Sequence, residues 1–147
     1  MKYWPLLLLA IVGMGGCATP QYGNFTSHTP YTLNTTLVTD TVKQIELLYP
    51  PASTKINIGQ AITKTDLFGA GLITTLRNHG YAVQEFNEKY PLSDAGINLR
   101  YIIDVPATTY QNLYLIKIML GTDTLSRAYA MQNDTVIPAG SWARREN

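Results

Sequence analysis

Three consecutive segments of the C-terminal half decide the fold, and they read INLRYIIDV (97–105), YQNLYLIKIML (110–120) and TLSRAYAMQ (124–132). In the first segment, every second residue from Leu99 to Val105 is apolar or aromatic, which is the period of a β-strand with one buried face. Between the second and third segments stands Gly121-Thr122-Asp123, a sequence typical of a hairpin turn. The three segments therefore predict consecutive antiparallel strands.

Shorter strands are predicted on both sides of these three. Downstream, Asn133-Asp134 predicts a second turn into a strand over 135–137. Pro138-Ala139-Gly140 then interrupts the ladder before a last strand over 141–144, because proline cannot donate a ladder hydrogen bond. Upstream, the alternation of residue types over 81–86 predicts one more strand.

A first helix is predicted over residues 36–49, where apolar side chains recur at helical spacing. The stripe consists of Val38, Val42 and Ile45. Either Thr36 or Thr39 is suited to cap the start of this helix, and Pro50 ends it, since proline cannot continue a helix.

A second helix is predicted over residues 66–78, after a short strand over 55–59. Asp66 is suited to cap the helix, and Gly80 is placed for a left-handed stop. Its apolar stripe consists of Phe68, Leu72, Ile73 and Leu76. Helices followed by sequential hairpins favour an α+β fold, with both helices packed on one face of a mainly antiparallel sheet of about five strands.

The N-terminal residues have the features of an export signal rather than a fold element. Lys2 is basic, the run from Trp4 to Val12 is apolar, and small residues lead to Cys17. The run is too short to span a bilayer, which needs about 20 residues. Met14-Gly15-Gly16-Cys17 resembles the bacterial lipobox, with Met14 where leucine is usual. The resemblance implies a signal peptide over 1–16, removed by cleavage before Cys17.

Lipidation of Cys17 is the expectation that follows from this motif, since several acyl chains give stable anchoring. Ordinary secretion and an uncleaved anchor are the alternatives. An aspartate directly after such a cysteine tends to retain the protein at the inner membrane, and here that residue is Ala18. We therefore expect the outer membrane, with the domain on its periplasmic face.

Residues 17–35 predict a flexible linker, and the remaining 36–147 predict one periplasmic domain. The linker is rich in Thr, Pro, Asn and Gly and lacks an apolar period. Its aromatic residues Tyr22, Phe25 and Tyr31 leave open an alternative in which docking on a partner orders the segment.

Charge and cysteine content exclude several classes of protein. The chain has 11 Lys and Arg against 10 Asp and Glu, and cleavage would remove Lys2. With no basic excess to neutralise phosphates, we expect no nucleic-acid partner. The single cysteine excludes an internal disulfide bond.

No combination of residues predicts a catalytic or metal site. His28 falls in the linker and His79 at a helix end, where the helix dipole favours a cation. The acidic pairs Glu85 with Glu88 and Asp94 with Asp104 are better read as solvated strand ends than as acid–base pairs. We therefore expect no enzyme, no cofactor, no metal and no small-molecule substrate.

A binding surface is the remaining prediction. Tryptophan beside arginine is the residue mixture that interface hot spots favour. The candidate partner-binding residues are Leu125, Arg127, Tyr129, Trp142, Arg144 and Arg145. The alternative is a last edge strand whose tryptophan covers the core, and an edge strand can also accept a strand from a neighbour.

Two blocks of sequence resemble the TrbH-type conjugal transfer lipoproteins. The first runs from Phe68-Gly69 to Leu76-Arg77-Asn78-His79-Gly80-Tyr81 and on to Glu85. The second combines Leu125-Ser126-Arg127-Ala128-Tyr129 with Gln132-Asn133 and Pro138-Ala139-Gly140-Ser141-Trp142-Ala143-Arg144-Arg145-Glu146. Together with the lipobox they cover most of the predicted domain.

This resemblance implies a lipoprotein component of a plasmid-encoded type IV secretion and mating-pair apparatus. It implies partners among other proteins of that apparatus and of the envelope, and it implies no catalytic residue. The alternative from a different class is an envelope lipoprotein that regulates a cell-wall enzyme or another periplasmic partner, which rests on analogy of fold alone.

Overall fold

A computed structural model describes residues 21–26, 29–106 and 112–147. These residues form two α-helices, one short 3₁₀ turn over Pro51–Ser53, and eight β-strands. In chain order the elements are β1 (Gly23–Asn24), α1 (Tyr31–Leu48), β2 (Lys55–Ile58), α2 (Leu67–Asn78), β3 (Ala82–Gln84), β4 (Ile97–Asp104), β5 (Leu113–Leu120), β6 (Asp123–Gln132), β7 (Thr135–Pro138) and β8 (Ala143–Glu146).

All the strands belong to one mixed sheet with the order β3-β2-β4-β5-β6-β7. Strand β1 lies parallel beside β4, and β8 lies antiparallel beside the first half of β6. From β4 onward the pairing is antiparallel, as the hairpin signals predict. Strand β2 is parallel to both of its neighbours, β3 and β4.

The predicted fold class is confirmed, but the sheet has eight strands rather than five and is partly parallel. The parallel part arises because α2 connects β2 to β3, and a helical crossover returns the chain in the same direction. The additional strand β1 has two residues, too few for any alternation to be visible in the sequence.

The helix α1 begins at Tyr31, five residues before the predicted start at Thr36. Its N-cap is Pro30 without a side-chain hydrogen bond, so neither Thr36 nor Thr39 caps it. Burial of Leu33 explains the longer helix, because it extends the apolar stripe by one turn. The last part of the predicted linker is therefore helical, and the described residues before it include β1.

Both helices pack on the same face of the sheet and run in the same direction. Gly71 of α2 faces Val38 of α1, and about two turns further along both helices His79 Nδ1 lies 2.6 Å from Glu46 Oε1. As predicted, the Asp66 side chain caps α2 by accepting from Gly69 N at 3.0 Å, and Gly80 has a positive φ of 90° after its end. The core between the layers contains Leu33, Leu37, Val42, Ile45, Phe68, Leu72, Leu76, Leu99, Tyr101, Ile103, Ile116 and Ile118.

Candidate interaction surface

Two of the predicted partner-binding residues, Leu125 and Tyr129, belong to the core. Both side chains are 0% exposed, because their strand β6 alternates and they point toward the helix layer. A buried side chain cannot contact a partner, so the structure corrects this part of the prediction.

Arg127 points to the same side as Leu125 and Tyr129 and joins β6 to α1. Its Nη1 donates to Asp40 Oδ2 at 2.7 Å, and its Nε donates to the carbonyl of Gly140 at 2.8 Å. The Tyr129 hydroxyl donates to the same Asp40 carboxylate. Burial, followed by this hydrogen bond, raises the pKa of Tyr129 well above its usual range, so the hydroxyl stays protonated as a donor.

Trp142 covers the Arg127 side chain at the break between β7 and β8. The guanidinium carbon of Arg127 lies 5.9 Å from the centre of the Trp142 ring, within the range of a cation–π contact. The indole packs against the core, as the edge-strand alternative predicts. Its buried Nε1 makes no hydrogen bond within the described part of the chain.

A second link between the end of α1 and the sheet is the contact of Tyr49 with Asp123, which Arg144 of β8 supports from within the sheet. The Nε and Nη2 of Arg144 donate to the two carboxylate oxygens of Asp123, at 2.9 and 3.1 Å. The Tyr49 hydroxyl donates to Asp123 as well, and Glu146 accepts from Arg144. These bonds, Arg144 first, lower the pKa of Asp123, while burial and the bond to Asp123 raise the pKa of Tyr49 to about 12.

A third tyrosine–aspartate contact lies beneath α2. The Tyr101 hydroxyl of β4 donates to Asp66, and burial raises the pKa of Tyr101 above its usual range. Tyr101 also donates its backbone N–H to Gln60 Oε1 at 2.8 Å. The helix layer is thus held to the sheet by three buried or half-buried carboxylates, each bonded to a tyrosine.

Sequence reasoning identified Asp66 as a cap but missed Asp40 and Asp123. The available signal was their position, since an isolated acid within a half-buried helix or strand needs a partner. Which arginine or tyrosine supplies it depends on pairings between segments 21 to 89 residues apart.

Arg145 is the one predicted residue whose side chain lies on the opposite face of the sheet. It is exposed and donates to Asn147 Oδ1 at 2.9 Å. Of the six candidates, the structure brings Arg127, Tyr129 and Trp142 into one cluster around Asp40. Cys17 and His28 lie outside the described residues.

Within the described residues, no group of three His, Cys, Asp or Glu side chains is placed to hold a metal ion. His79 pairs with Glu46, and Glu85 pairs with Arg77 at 2.9 Å. Among the helices that the structure describes, none is long and apolar enough to cross a membrane.

Comparison with protein families gives the decisive result. The model of the family described as conjugal transfer protein TrbH matches residues 19–146, which is most of the chain. The chain belongs to the TrbH family. Comparisons with curated proteins and with solved structures gave no match. Membership makes the chain a component of conjugal transfer, associated with the cell envelope and with other proteins of the TrbH transfer apparatus.

Proposed function

We propose that the chain is a lipid-anchored structural and interaction component of a conjugative type IV secretion apparatus, held at the outer membrane through Cys17. The observation that carries the proposal is the position of the family match. It begins at residue 19, two residues after Cys17 of the lipobox-like Met14-Gly15-Gly16-Cys17, and continues to residue 146. The match thus leaves out the proposed signal peptide, and this supports the proposal.

The described contacts support a binding role. The carboxylates of Asp40, Asp66 and Asp123 each accept a hydrogen bond from a tyrosine, and the first and last also pair with an arginine. Carboxylates engaged in this way hold two layers together. A domain with a cross-linked helix layer is suited to present a constant surface to neighbouring proteins.

The anchor is tested by Cys17→Ala, with Met14→Leu as the matched control that keeps the cysteine and supplies the usual lipobox residue. We expect the original chain and Met14→Leu to carry the mass of the acyl chains and to sediment with membranes. Cys17→Ala is expected in the soluble periplasmic fraction and outside the assembled apparatus. An unmodified Cys17 sulfur in the original chain, or membrane sedimentation unchanged by Cys17→Ala, would contradict the anchor.

The partner class is tested by purifying the chain from mating-competent cells and identifying what accompanies it. Transfer-apparatus proteins recovered with the original chain and lost with Cys17→Ala support the proposal. Recovery of a cell-wall enzyme in their place supports the regulatory alternative and contradicts the proposal.

A further inference from the structure

The sheet has one face under the helices and one face that is largely open. At the β2–β3 end, segment 87–96 covers the second face, where Asn57 Nδ2 donates to the carbonyl of Ser93 at 2.6 Å and Gln84 bonds to the same segment. From β4 to β8 no described element lies over it. The apolar residues of this open face are Ile102, Leu113, Leu115, Met119, Ala128, Ala130 and Ile137.

The open face also carries a group of basic residues at one end. Register places Arg100 opposite Met119, Met119 opposite Thr124, and Thr124 opposite Arg145, so these residues form one row across the sheet. Lys117 stands in the next row, opposite Ser126. Arg100, Lys117 and Arg145 are all exposed. The only acidic residue that the described strands place on this face is Asp104, so basic residues outnumber acidic ones there.

The chain enters the domain at this basic end. The guanidinium carbon of Arg100 lies 5.0 Å from the centre of the Tyr22 ring. Tyr22 is the fifth residue after Cys17, and a step of five residues spans at most about 17 Å in any conformation. The backbone of Cys17 would therefore lie within about 17 Å of the backbone of Tyr22, whose ring contacts Arg100.

From these three observations we infer that the open face rests on the membrane and binds anionic phospholipid headgroups through Arg100, Lys117 and Arg145. The inference rests on the proposed anchor at Cys17. Basic side chains next to an anionic leaflet are attracted to it, and exposed apolar side chains such as Leu115 and Ile137, 38% and 42% exposed, gain from entering the interface. The helix layer then faces away from the bilayer, toward protein partners.

A lipid surface suits this face better than a second copy of the chain. A twofold axis parallel to the strands would bring the basic cluster toward its own copy, which costs energy, and an axis across the strands would offer it only Asp104 as an acid from the strands of the facing copy. An acidic protein would complement the basic residues of the open face. It would not explain why the short segment that leads from Cys17 joins the domain beside Arg100. The occupant is therefore the bilayer that carries the anchor.

A spin label on the open face tests the orientation. The lipidated chain would have no free thiol, so Ser126→Cys creates a single labelling site between Lys117 and Ala143. Thr39→Cys on the outward side of α1 is the matched control. We expect the label at 126 to become less accessible to a water-soluble collision reagent on phosphatidylethanolamine–phosphatidylglycerol vesicles, and the label at 39 to remain accessible. Equal accessibility of both labels would overturn the inference.

Charge reversal tests the headgroup contact. In the full chain with Cys17→Ser, we expect roughly a hundredfold preference for phosphatidylglycerol-containing vesicles over pure phosphatidylcholine, from three basic residues. Lys117→Glu with Arg145→Glu should remove the preference, and Lys43→Glu on α1 should not. Salt should weaken binding, because it screens exposed charges. A preference that survives the double reversal would overturn the inference.

The two proposals fail in different ways. If the Cys17 sulfur carries no acyl chain, the proposed anchor is wrong. Binding of the Cys17→Ser chain to vesicles still tests whether the open face contacts lipid. If the lipidated chain floats with vesicles while the label at 126 stays accessible, the anchor holds and the face does not bind lipid. Protection of that label in whole envelopes but not on lipid vesicles would assign the face to a protein and overturn the inference.

Discussion

Arg127 of β6 and Asp40 of α1 join the sheet to the helix layer through an Nη1–Oδ2 contact of 2.7 Å. Both side chains are largely buried, with 18% and 26% of their surfaces exposed. The Tyr129 hydroxyl and the Gly140 carbonyl complete the group. A charged pair in this position makes the arrangement of the helices on the sheet specific, because displacement would leave both charges without a partner.

Asp40→Asn is expected to lower the free energy of unfolding by about 2 kcal/mol, since it leaves the half-buried Arg127 without its counter-charge. The measurement is urea denaturation followed by circular dichroism. Asp94→Asn, at an exposed position in segment 87–96, is the control and should change stability by less than about 0.5 kcal/mol. Equal effects of the two variants would contradict a structural role for the pair.

Leu125 and Arg145 should behave as a core residue and a surface residue, although both belong to the segments considered for partner binding. Leu125→Ala is expected to cost about 2–4 kcal/mol by leaving a cavity, and Arg145→Ala less than about 0.5 kcal/mol. Thermal unfolding of the purified variants measures both. A stable Leu125→Ala protein that had lost its partners would show that Leu125 is a contact residue after all.

Gly69→Ala is expected to destabilise the domain by about 1–3 kcal/mol, although alanine favours helices. An added Cβ would collide with the Tyr101 hydroxyl and would lie 2.8 Å from Ile62 Cγ2. Thr74→Ala on the exposed side of α2 is the control, and there the better helix former should leave stability unchanged or slightly higher. Stabilisation by both variants would mean that α2 does not approach β4 as closely as described.

Acid should unfold the domain partly through Asp123. Arg144 and Tyr49 lower its pKa in the folded state below the ordinary value of 3.8, so folding favours the charged carboxylate. This contribution is present above pH 3.8 and is lost as the pH falls through the lower folded pKa. Asp123→Asn should therefore flatten the decline of stability below pH 3.8. Asp134→Asn in the β6–β7 turn is the control, and its free energy of unfolding should fall with pH as steeply as that of the original chain.

Alkali should destabilise the domain through its buried tyrosines. Burial raises the pKa of Tyr81 from 10.0 to about 12, and its hydroxyl donates to the Tyr49 carbonyl at 2.6 Å. The raised pKa means that stability is fully present below pH 10 and declines as the pH rises toward 12. Tyr81→Phe should make that decline shallower in pH-jump unfolding, whereas Tyr90→Phe, at a side chain 68% exposed, should not. An unchanged slope for Tyr81→Phe would contradict the prediction.

The strands from β4 to β7 and helix α2 were predictable because local sequence carries their signals. Alternation, the Asp66 cap and the stop at Gly80 each act over a few residues. The start of α1 was not predictable, because Thr and Asn around Leu33 obscure the apolar stripe. The parallel pairing of β2 was not predictable either, because the residues of Lys55–Ile58 and their neighbours in sequence do not indicate which strand will pair with β2.

Some residues of the candidate site could be identified from the sequence, and others could not. Trp142, Arg144 and Arg145 were proposed together because they are close in sequence, but the structure divides them, with Arg144 bonded to Asp123 and Arg145 on the opposite face. The partners Asp40 and Asp123 were not identified, because a carboxylate in a helix or strand gives no sign of which side chain elsewhere in the chain will bond to it.

By itself, the sequence determined the fold class, the membership in a transfer family through its ordered blocks, and the expectation of a lipid anchor at Cys17. Only the tertiary structure decided that Leu125 and Tyr129 are core, that three tyrosine–aspartate contacts hold the helices, and that one sheet face stays open. The reason is physical: periodicity and turn chemistry act between neighbours along the chain, whereas burial and ion pairing depend on which distant segments meet.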